Sequence, residues 1–235
     1  MKQLNLVISR EVQDISLQFN VKRMINAGYV GRNIEAVQAH IDELSLEGVP
    51  APASIPMIFP VLSENITTKR KIEVVGDRTS GEVEFVVLFH EEKVYIGVGS
   101  DHTDRELESV SISKSKQICE NVISKIVWDF DDVKDRWDSL SIRSWVKTDE
   151  SDGKILYQDA LLGSIISADD LIDLVKLKLK DSQTDGLIIY SGTVPIVTDK
   201  MNFGDYFKCE IADPKTGRSL VCEYEVEKLE FLHQD

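Results

Sequence analysis

Glu82 and Glu84 alternate at the head of an apolar run, and Asp101 follows seventeen positions after Glu84 in the segment Ser100-Asp101-His102-Thr103-Asp104-Arg105. On a strand, residues two apart project to the same face, so the two glutamates aim together. The run that follows, Phe85-Val86-Val87-Leu88-Phe89, is apolar at every position and reads as a strand buried on both faces. Like charges about 4 Å apart repel by roughly 4 kcal/mol at an effective dielectric of about 20. Carboxylates heading such a strand therefore need a cation. Asp101 is the natural third oxygen donor. With no paired Cys and no clustered His, the donor set is a hard one, suited to Mg²⁺ or Mn²⁺.

Each of these signals has an ordinary counterpart. Alternating acid and valine in Glu82-Val83-Glu84 is common on a half-exposed strand, but the glutamate face continues through Val86 and Leu88, which favours buried, paired acids. Ser100, Asp101 and Thr103 also suit the cap of a helix beginning near Asp104. Capping and metal binding are compatible, because a helix terminus fixes the loop that carries the ligand.

The elements that must position these groups are mostly strands. Leu4 to Ser9, Ile15 to Phe19 and Lys22 to Tyr29 are strand-like. From Asn33 the spacing turns helical, with Ile34, Val37, Ile41 and Leu44 on one face and Gly48 as a stop. Pro50, Pro52 and Pro56 then predict an extended crossover. Beyond residue 57 strands are expected at 57–62, 71–75, 82–89, 94–98, 140–146, 187–190, 206–211 and 219–226. A hairpin is expected between Phe89 and Val94, and helices near 104–109 and 167–180. The pattern divides as 1–56, an N-terminal lobe with a lid helix, and 57–235, a β-rich catalytic domain.

Composition narrows the partners. A formal net charge of -14 argues against nucleic acid and anionic membrane, both of which attract basic surfaces. A small anionic substrate is compatible with such a surface only beside a local cation, which the inferred metal would be. Cys119, Cys209 and Cys222 are odd in number and widely spaced, which points away from zinc and from a disulfide framework. No segment has signal-peptide form or the length needed to span a bilayer, so a cytoplasmic protein is expected.

Taken in order, these motifs resemble the fumarylacetoacetate hydrolase family, specifically its C-terminal catalytic domain. That family carries a Glu-x-Glu strand and then a loop of the form Asn-Asp-Val-Thr-Ala-Arg-Asp, similar to Glu82-Val83-Glu84 and Ser100-Asp101-His102-Thr103-Asp104-Arg105-Glu106. Its Lys-Ser-Phe segment resembles Lys114-Ser115-Lys116-Gln117, where either lysine fits and Lys116 is favoured. Its Asn-Gly-x-x-x-Gln hairpin resembles Asp152-Gly153-Lys154-Ile155-Leu156-Tyr157-Gln158. Its Gly-Asp-x-Ile-x-x-Gly-Thr-Pro is similar to Asp185-Gly186-Leu187-Ile188-Ile189-Tyr190-Ser191-Gly192-Thr193-Val194-Pro195, and its last Gly-Asp motif to Gly204-Asp205. Gly31-Arg32-Asn33 resembles its Gly-Arg-Asn-Tyr, and His40 with Glu43 its His-x-x-Glu dyad, which on a helix shares one face.

The resemblance covers about residues 25 to 235 and implies an α+β fold, a mixed β-roll with a small N-terminal α/β lobe. It implies a divalent metal on Glu82, Glu84 and Asp101, catalytic roles for His40, Glu43 and Lys116, and substrate contacts from Arg32, Arg105, Gln158 and Thr193. The activity it implies is a metal-dependent hydrolase or decarboxylase that cleaves a C–C bond in a small 2-oxo acid. An isomerase or dehydratase using the same metal site, or a metal-containing binding protein without turnover, are the alternatives. Family members are commonly homodimers, and edge strands in the C-terminal half fit that expectation. Four departures mark a divergent branch: a bare hairpin between Glu84 and Asp101, a longer interval from Asn33 to His40, Pro60 where the family has lysine, and His102 where it has an apolar residue. They bear on substrate and reaction more than on the metal.

Overall fold

The computed structural model describes residues 2–232 apart from 11, 47–51 and 53, and of 40 and 43–46 it describes the backbone alone. The chain opens with β1 (Lys2–Ile8) and β2 (Ile15–Val21), strands with alternate residues buried, and β3 (Arg23–Gly28), buried through its middle. Helix α1 (Ile34–Leu46) and strand β4 (Met57–Val61) follow. The short β5 (Ile66–Thr67), β6 (Lys71–Val74) and β7 (Thr79–Ser80) lead into a long hairpin of β8 (Val83–His90) and β9 (Lys93–Asp101). After it come β10 (Thr103–Asp104), the helical turns α2 (Arg105–Val110) and α3 (Ile112–Ser115), β11 (Asn121–Ile123) and β12 (Ile126–Asp129). The chain continues through β13 (Ser141–Lys147), β14 (Ile155–Leu161), α4 (Ala168–Lys178), β15 (Leu187–Tyr190), β16 (Tyr206–Ala212) and β17 (Ser219–Lys228).

Two sheets result. The larger, mixed sheet runs β2-β1-β12-β9-β8-β15-β3-β4, with β11 beside the far end of β9 and β5 beside β11. The smaller runs β14-β13-β16-β17-β6, and β7 pairs with β10. Strand β8 lacks alternation because both of its faces are covered. Val83, Phe85, Val87 and Phe89 share a core with Ile142, Phe207, Ile211 and Tyr224 of the smaller sheet. Val86 and Leu88 share a second core with Leu4, Leu6, Phe19, Ile188 and Tyr190.

Most expected strands are present within a residue or two. The expected division at residue 56 does not separate two sheets: β1 and β3 are hydrogen-bonded to β12 and β15, so the N-terminal strands belong to the larger sheet. The expected apolar face of α1 is only partly used, since Ile41 is buried, Val37 half-buried and Ile34 exposed. Gly48 and Pro50 lie outside the described residues. Pro60 sits in β4, an edge strand, where a residue without an N–H costs no ladder bond. No helix among the described residues is long and apolar enough to cross a membrane.

One glycine shows how tightly the hairpin is packed. A Cβ on Gly99 would lie 2.6 Å from the Val122 carbonyl oxygen and 2.9 Å from the Tyr190 ring, which crosses over it to donate to that same carbonyl at 3.1 Å. Backbone and ring leave no room to give way. Gly99→Ala is expected to destabilise the fold by about 1–3 kcal/mol, the usual cost of overpacking, measured by urea denaturation. Gly153→Ala, where a Cβ meets nothing within 4 Å, should stay near wild type.

Candidate functional site

The register of the β8–β9 hairpin builds the site. Glu84 pairs with Gly99 and Val83 with Ser100. One step further, Asp101 N–H donates to the Glu82 carbonyl at 3.2 Å, which sets Asp101 opposite Glu82. Directly opposed residues of an antiparallel pair share a face. Glu82, Glu84 and Asp101 therefore converge, each with a carboxylate oxygen within 4.8 Å of the others. Glu84 and Asp101 are buried, and Glu82, just before β8, is half-buried.

Groups from four other segments close around them. Gly192 N–H donates to Glu84 Oε2 at 2.8 Å, from a backbone with φ of +81° that only glycine adopts without strain. Lys116 Nζ donates to Asp101 Oδ2. Asn121 stands opposite Asp101 in the β11–β9 ladder, and its Nδ2 donates to Asp101 Oδ1 at 3.3 Å. Asn121 Oδ1 is buried without a hydrogen-bond partner among the described residues. Arg105, the first residue of α2, reaches Glu82 at 3.1 Å, Glu108 at 2.7 Å and Ser80 Oγ at 2.8 Å.

Charges here are strongly coupled. Burial, then repulsion from Asp101, pushes the Glu84 carboxyl well above the usual carboxylate range, and Lys116 only partly opposes this. Burial disfavours the Lys116 ammonium, but Asp101, Glu82 and Glu108 more than reverse it and hold its pKa above the ordinary lysine value. Arg105 follows the same pattern, burial being outweighed by Glu82 and Glu108. Tyr29, in a left-handed conformation with φ of 57°, lies close enough that Glu108 raises and Lys116 lowers its pKa, burial being the largest cause of a net rise.

Of the residues singled out in the sequence, Glu82, Glu84, Asp101, Lys116 and Arg105 are brought together. Lys116, not the exposed Lys114, faces the carboxylates. Gln158 and Thr193 come close but are fully committed to the protein. Gln158 Oε1 accepts from Val83 N–H at 3.0 Å and Ser144 Oγ at 2.8 Å, and its Nε2 donates to Thr193 Oγ1 at 2.7 Å and the Val194 carbonyl at 2.6 Å. Thr193 Oγ1 donates in turn to the Val83 carbonyl at 2.7 Å. With both lone pairs and both hydrogens of its amide in use, Gln158 ties β8 to β13 and to the loop after β15.

Arg32 is also turned elsewhere, because its guanidinium is bidentate on Asp138 at 2.7 and 2.8 Å and its Nε donates to the Ile165 carbonyl at 2.6 Å. His40 and Glu43 lie on α1, with side chains outside the described residues. Asn121, Glu108 and Tyr29 were not anticipated. Asn121 becomes visible only through its register with Asp101, and Glu108 only as the i+3 partner of Arg105.

His102, beside Asp101, points to the other face, between the two sheets. There its Nδ1 lies 2.9 Å from Tyr224 Oη and its Nε2 3.0 Å from Thr79 Oγ1.

Comparison with known proteins bears on fold and family. The model of the family described as protein of unknown function (DUF2848) matches residues 27–224. No curated protein matches the chain. Among solved structures, 2-keto-3-deoxy-D-arabinonate dehydratase in its apo form is 15% identical, with 93% of this chain and 78% of that one covered and a TM-score of 0.64. The same dehydratase complexed with magnesium and 2,5-dioxopentanoate is 15% identical over the same shares, with a TM-score of 0.61. The 5-carboxymethyl-2-hydroxymuconate delta-isomerase from Mycobacterium smegmatis is 14% identical, covering 92% of this chain and 85% of that one, with a TM-score of 0.61. These neighbours are enzymes of the fumarylacetoacetate hydrolase superfamily. At such identities the likeness establishes a shared sheet-rich α+β fold, in agreement with the motif resemblance.

Burial, with a smaller contribution from Arg105, lowers the His102 pKa from 6.5 to about 3. Its imidazole is therefore neutral in the folded chain, while the unfolded chain protonates it below its ordinary value. Stability from this group is complete above about pH 6.5 and is lost as the pH falls toward about 3, because the unfolded state binds the extra proton. Between pH 7 and pH 4.5 this loss is expected to be about 2–3 kcal/mol. Urea midpoints at the two pH values, with chelator present, should fall less in His102→Leu than in wild type.

Proposed function

The chain belongs to the DUF2848 family, and from its site we propose a divalent-metal-dependent enzyme acting on a small 2-oxo acid. The observation that carries this reading is the convergence of Glu82, Glu84 and Asp101 within 4.8 Å, two of them buried. The donor set fits the ion. Three hard oxygen ligands suit Mg²⁺ or Mn²⁺, and Glu84, raised first by burial and then by Asp101, is a carboxylate that a cation would stabilise in its ionised form. When bound, the ion supplies Lewis-acid stabilisation of the negative charge that builds on the oxygens of a 2-oxo acid. The complex of the dehydratase with magnesium and 2,5-dioxopentanoate supports pairing this ion class with this substrate class.

The chain's own residues complete the reading. Lys116 attracts the charged end of the substrate and holds Asp101 in place meanwhile. Asn121 Oδ1 accepts a hydrogen bond from a substrate hydroxyl or a water. Arg105, fixed between Glu82 and Glu108, pairs with Glu82 and orients its carboxylate. We assign His40 the role of general base, tuned by Glu43 three residues on, which gives C–C cleavage by hydrolysis or decarboxylation. Isomerisation or dehydration is the second reading. It is favoured by one observation: among the described residues the histidine beside Asp101, His102, faces away from the carboxylates with both nitrogens engaged.

Calorimetry tests the metal. Glu82→Ala, Glu84→Ala and Asp101→Ala should each abolish tight Mg²⁺ or Mn²⁺ binding, and wild-type affinity in any two would place the site elsewhere. Because burial and repulsion from Asp101 raise the Glu84 carboxyl, ion binding, which needs it ionised, competes with its proton. Affinity should therefore rise with pH, and protons should be released on binding in buffers of different ionisation enthalpy.

Turnover separates the two reactions. A panel of 2-oxo acids assayed with Mg²⁺ should yield smaller carbonyl products if the bond is cleaved. His40→Ala should then lower turnover about 10²–10⁴-fold, the usual worth of a general base, with metal affinity unchanged. Full turnover in that variant would favour isomerisation or dehydration.

A further inference from the structure

We propose that Tyr224 is a positioning residue of the carboxylate site, its hydroxyl clamping the two residues that flank Asp101 from the opposite side of the sheet. The inference rests on the metal reading above only where ion affinity is measured.

The need for a clamp follows from topology. Asp101 is the last residue of β9, and Thr103 and Asp104 leave the larger sheet to pair with β7. At this exit the ladder to β8 holds Asp101 by its N–H to the Glu82 carbonyl at 3.2 Å. Side chains alternate along a strand, so Ser100 and His102 point away from the site into the layer between the sheets. Tyr224 of β17 waits there. Its hydroxyl donates to Ser100 Oγ at 2.8 Å and lies 2.9 Å from His102 Nδ1. Ser100 Oγ also accepts the Glu82 N–H at 3.2 Å. One phenol thus reaches both neighbours of Asp101 and, through Ser100, the backbone of Glu82.

The hydroxyls of Ser100, Tyr224 and Thr79 and the His102 imidazole form one hydrogen-bonded chain. With Tyr224 giving its single hydrogen to Ser100, His102 donates from Nδ1 to Tyr224 and accepts at Nε2 from Thr79 Oγ1 at 3.0 Å; with the other tautomer every bond of the chain reverses and none is lost. Every member is buried and has a partner. A fully satisfied buried network of this kind specifies one arrangement of the backbone it holds.

Amide hydrogen exchange on the metal-free chain reads the clamp directly. Tyr224→Phe keeps the ring and its packing on Phe207 at 5.9 Å. It is expected to speed exchange at the Glu82 and Asp101 amides about tenfold, with β1 and β2 amides unchanged. Mn²⁺ affinity measured by calorimetry should weaken about tenfold as well. His102→Asn, which keeps an N–H where Nδ1 stood, should retain wild-type values, and His102→Leu should behave as Tyr224→Phe. Tyr206→Phe removes a hydroxyl from the same sheet where it bonds Glu223 at 2.7 Å, and should alter neither readout. Wild-type exchange at Glu82 and Asp101 in Tyr224→Phe, even with a lowered Tm, overturns the clamp. If wild type binds neither Mn²⁺ nor Mg²⁺, the metal reading fails while amide exchange still decides the clamp.

Discussion

Three carboxylates within 4.8 Å of one another, two of them out of water, are the constraint that the surrounding structure answers. Buried charge is tolerated only when paired or hydrogen-bonded, and each carboxylate has its own answer. Asp101 takes Lys116 and the Asn121 amide. Glu82 takes Arg105, and Glu84 takes the N–H of Gly192 and a raised pKa. The compensating groups come from α2, the segment after α3, β11 and the loop after β15, so the carboxylates dictate how distant parts of the chain meet. Gly99 belongs to the same logic, since its missing side chain lets Tyr190 and Val122 close the sheet beside Glu84.

The smaller sheet acts from behind. Val83 lies between the two glutamates, and both of its backbone groups are taken: its N–H by Gln158 and its carbonyl by Thr193. Ser100 and His102, on either side of Asp101, are held by Tyr224. Ligands on both strands of the hairpin are therefore fixed through their neighbours by residues of β14, β17 and the loop after β15. A site built this way gains precision from sheet packing, where one built on loops would depend on loop order.

How much of this was legible in the sequence depended on the range of the interaction. The glutamate pair, the apolar β8 and the bare hairpin to Asp101 are local patterns, and they led directly to the observed cluster. Lys116 was favoured over Lys114 and does face it. Strands β11 and β12 escaped because three or four residues give no readable period, and Asn121 escaped with them. Gln158, Thr193 and Arg32 were singled out by resemblance, yet their roles turn on partners far away in sequence. Ser144 and Val83 absorb Gln158, and Asp138 absorbs Arg32. The membership of the N-terminal strands in the larger sheet was hidden for the same reason, since β1 finds its parallel partner in β12.

Charge balance carries the synthesis one step further. Glu82, Glu84, Asp101 and Glu108 face Lys116 and Arg105, so the ionised cluster holds four negative charges against two positive ones. Burial, and after it repulsion from Asp101, raises the Glu84 carboxyl, so its ionised form is the one that lacks support. A divalent ion would favour the ionised Glu84 and bring the cluster to neutrality. It must also share Asp101 with Lys116, whose ammonium is already bonded to that carboxylate. On the proposed reading, an ion drawing on Asp101 would free the ammonium toward an incoming carboxylate. Metal binding and substrate anchoring would then be linked through one carboxylate, because both would draw on Asp101.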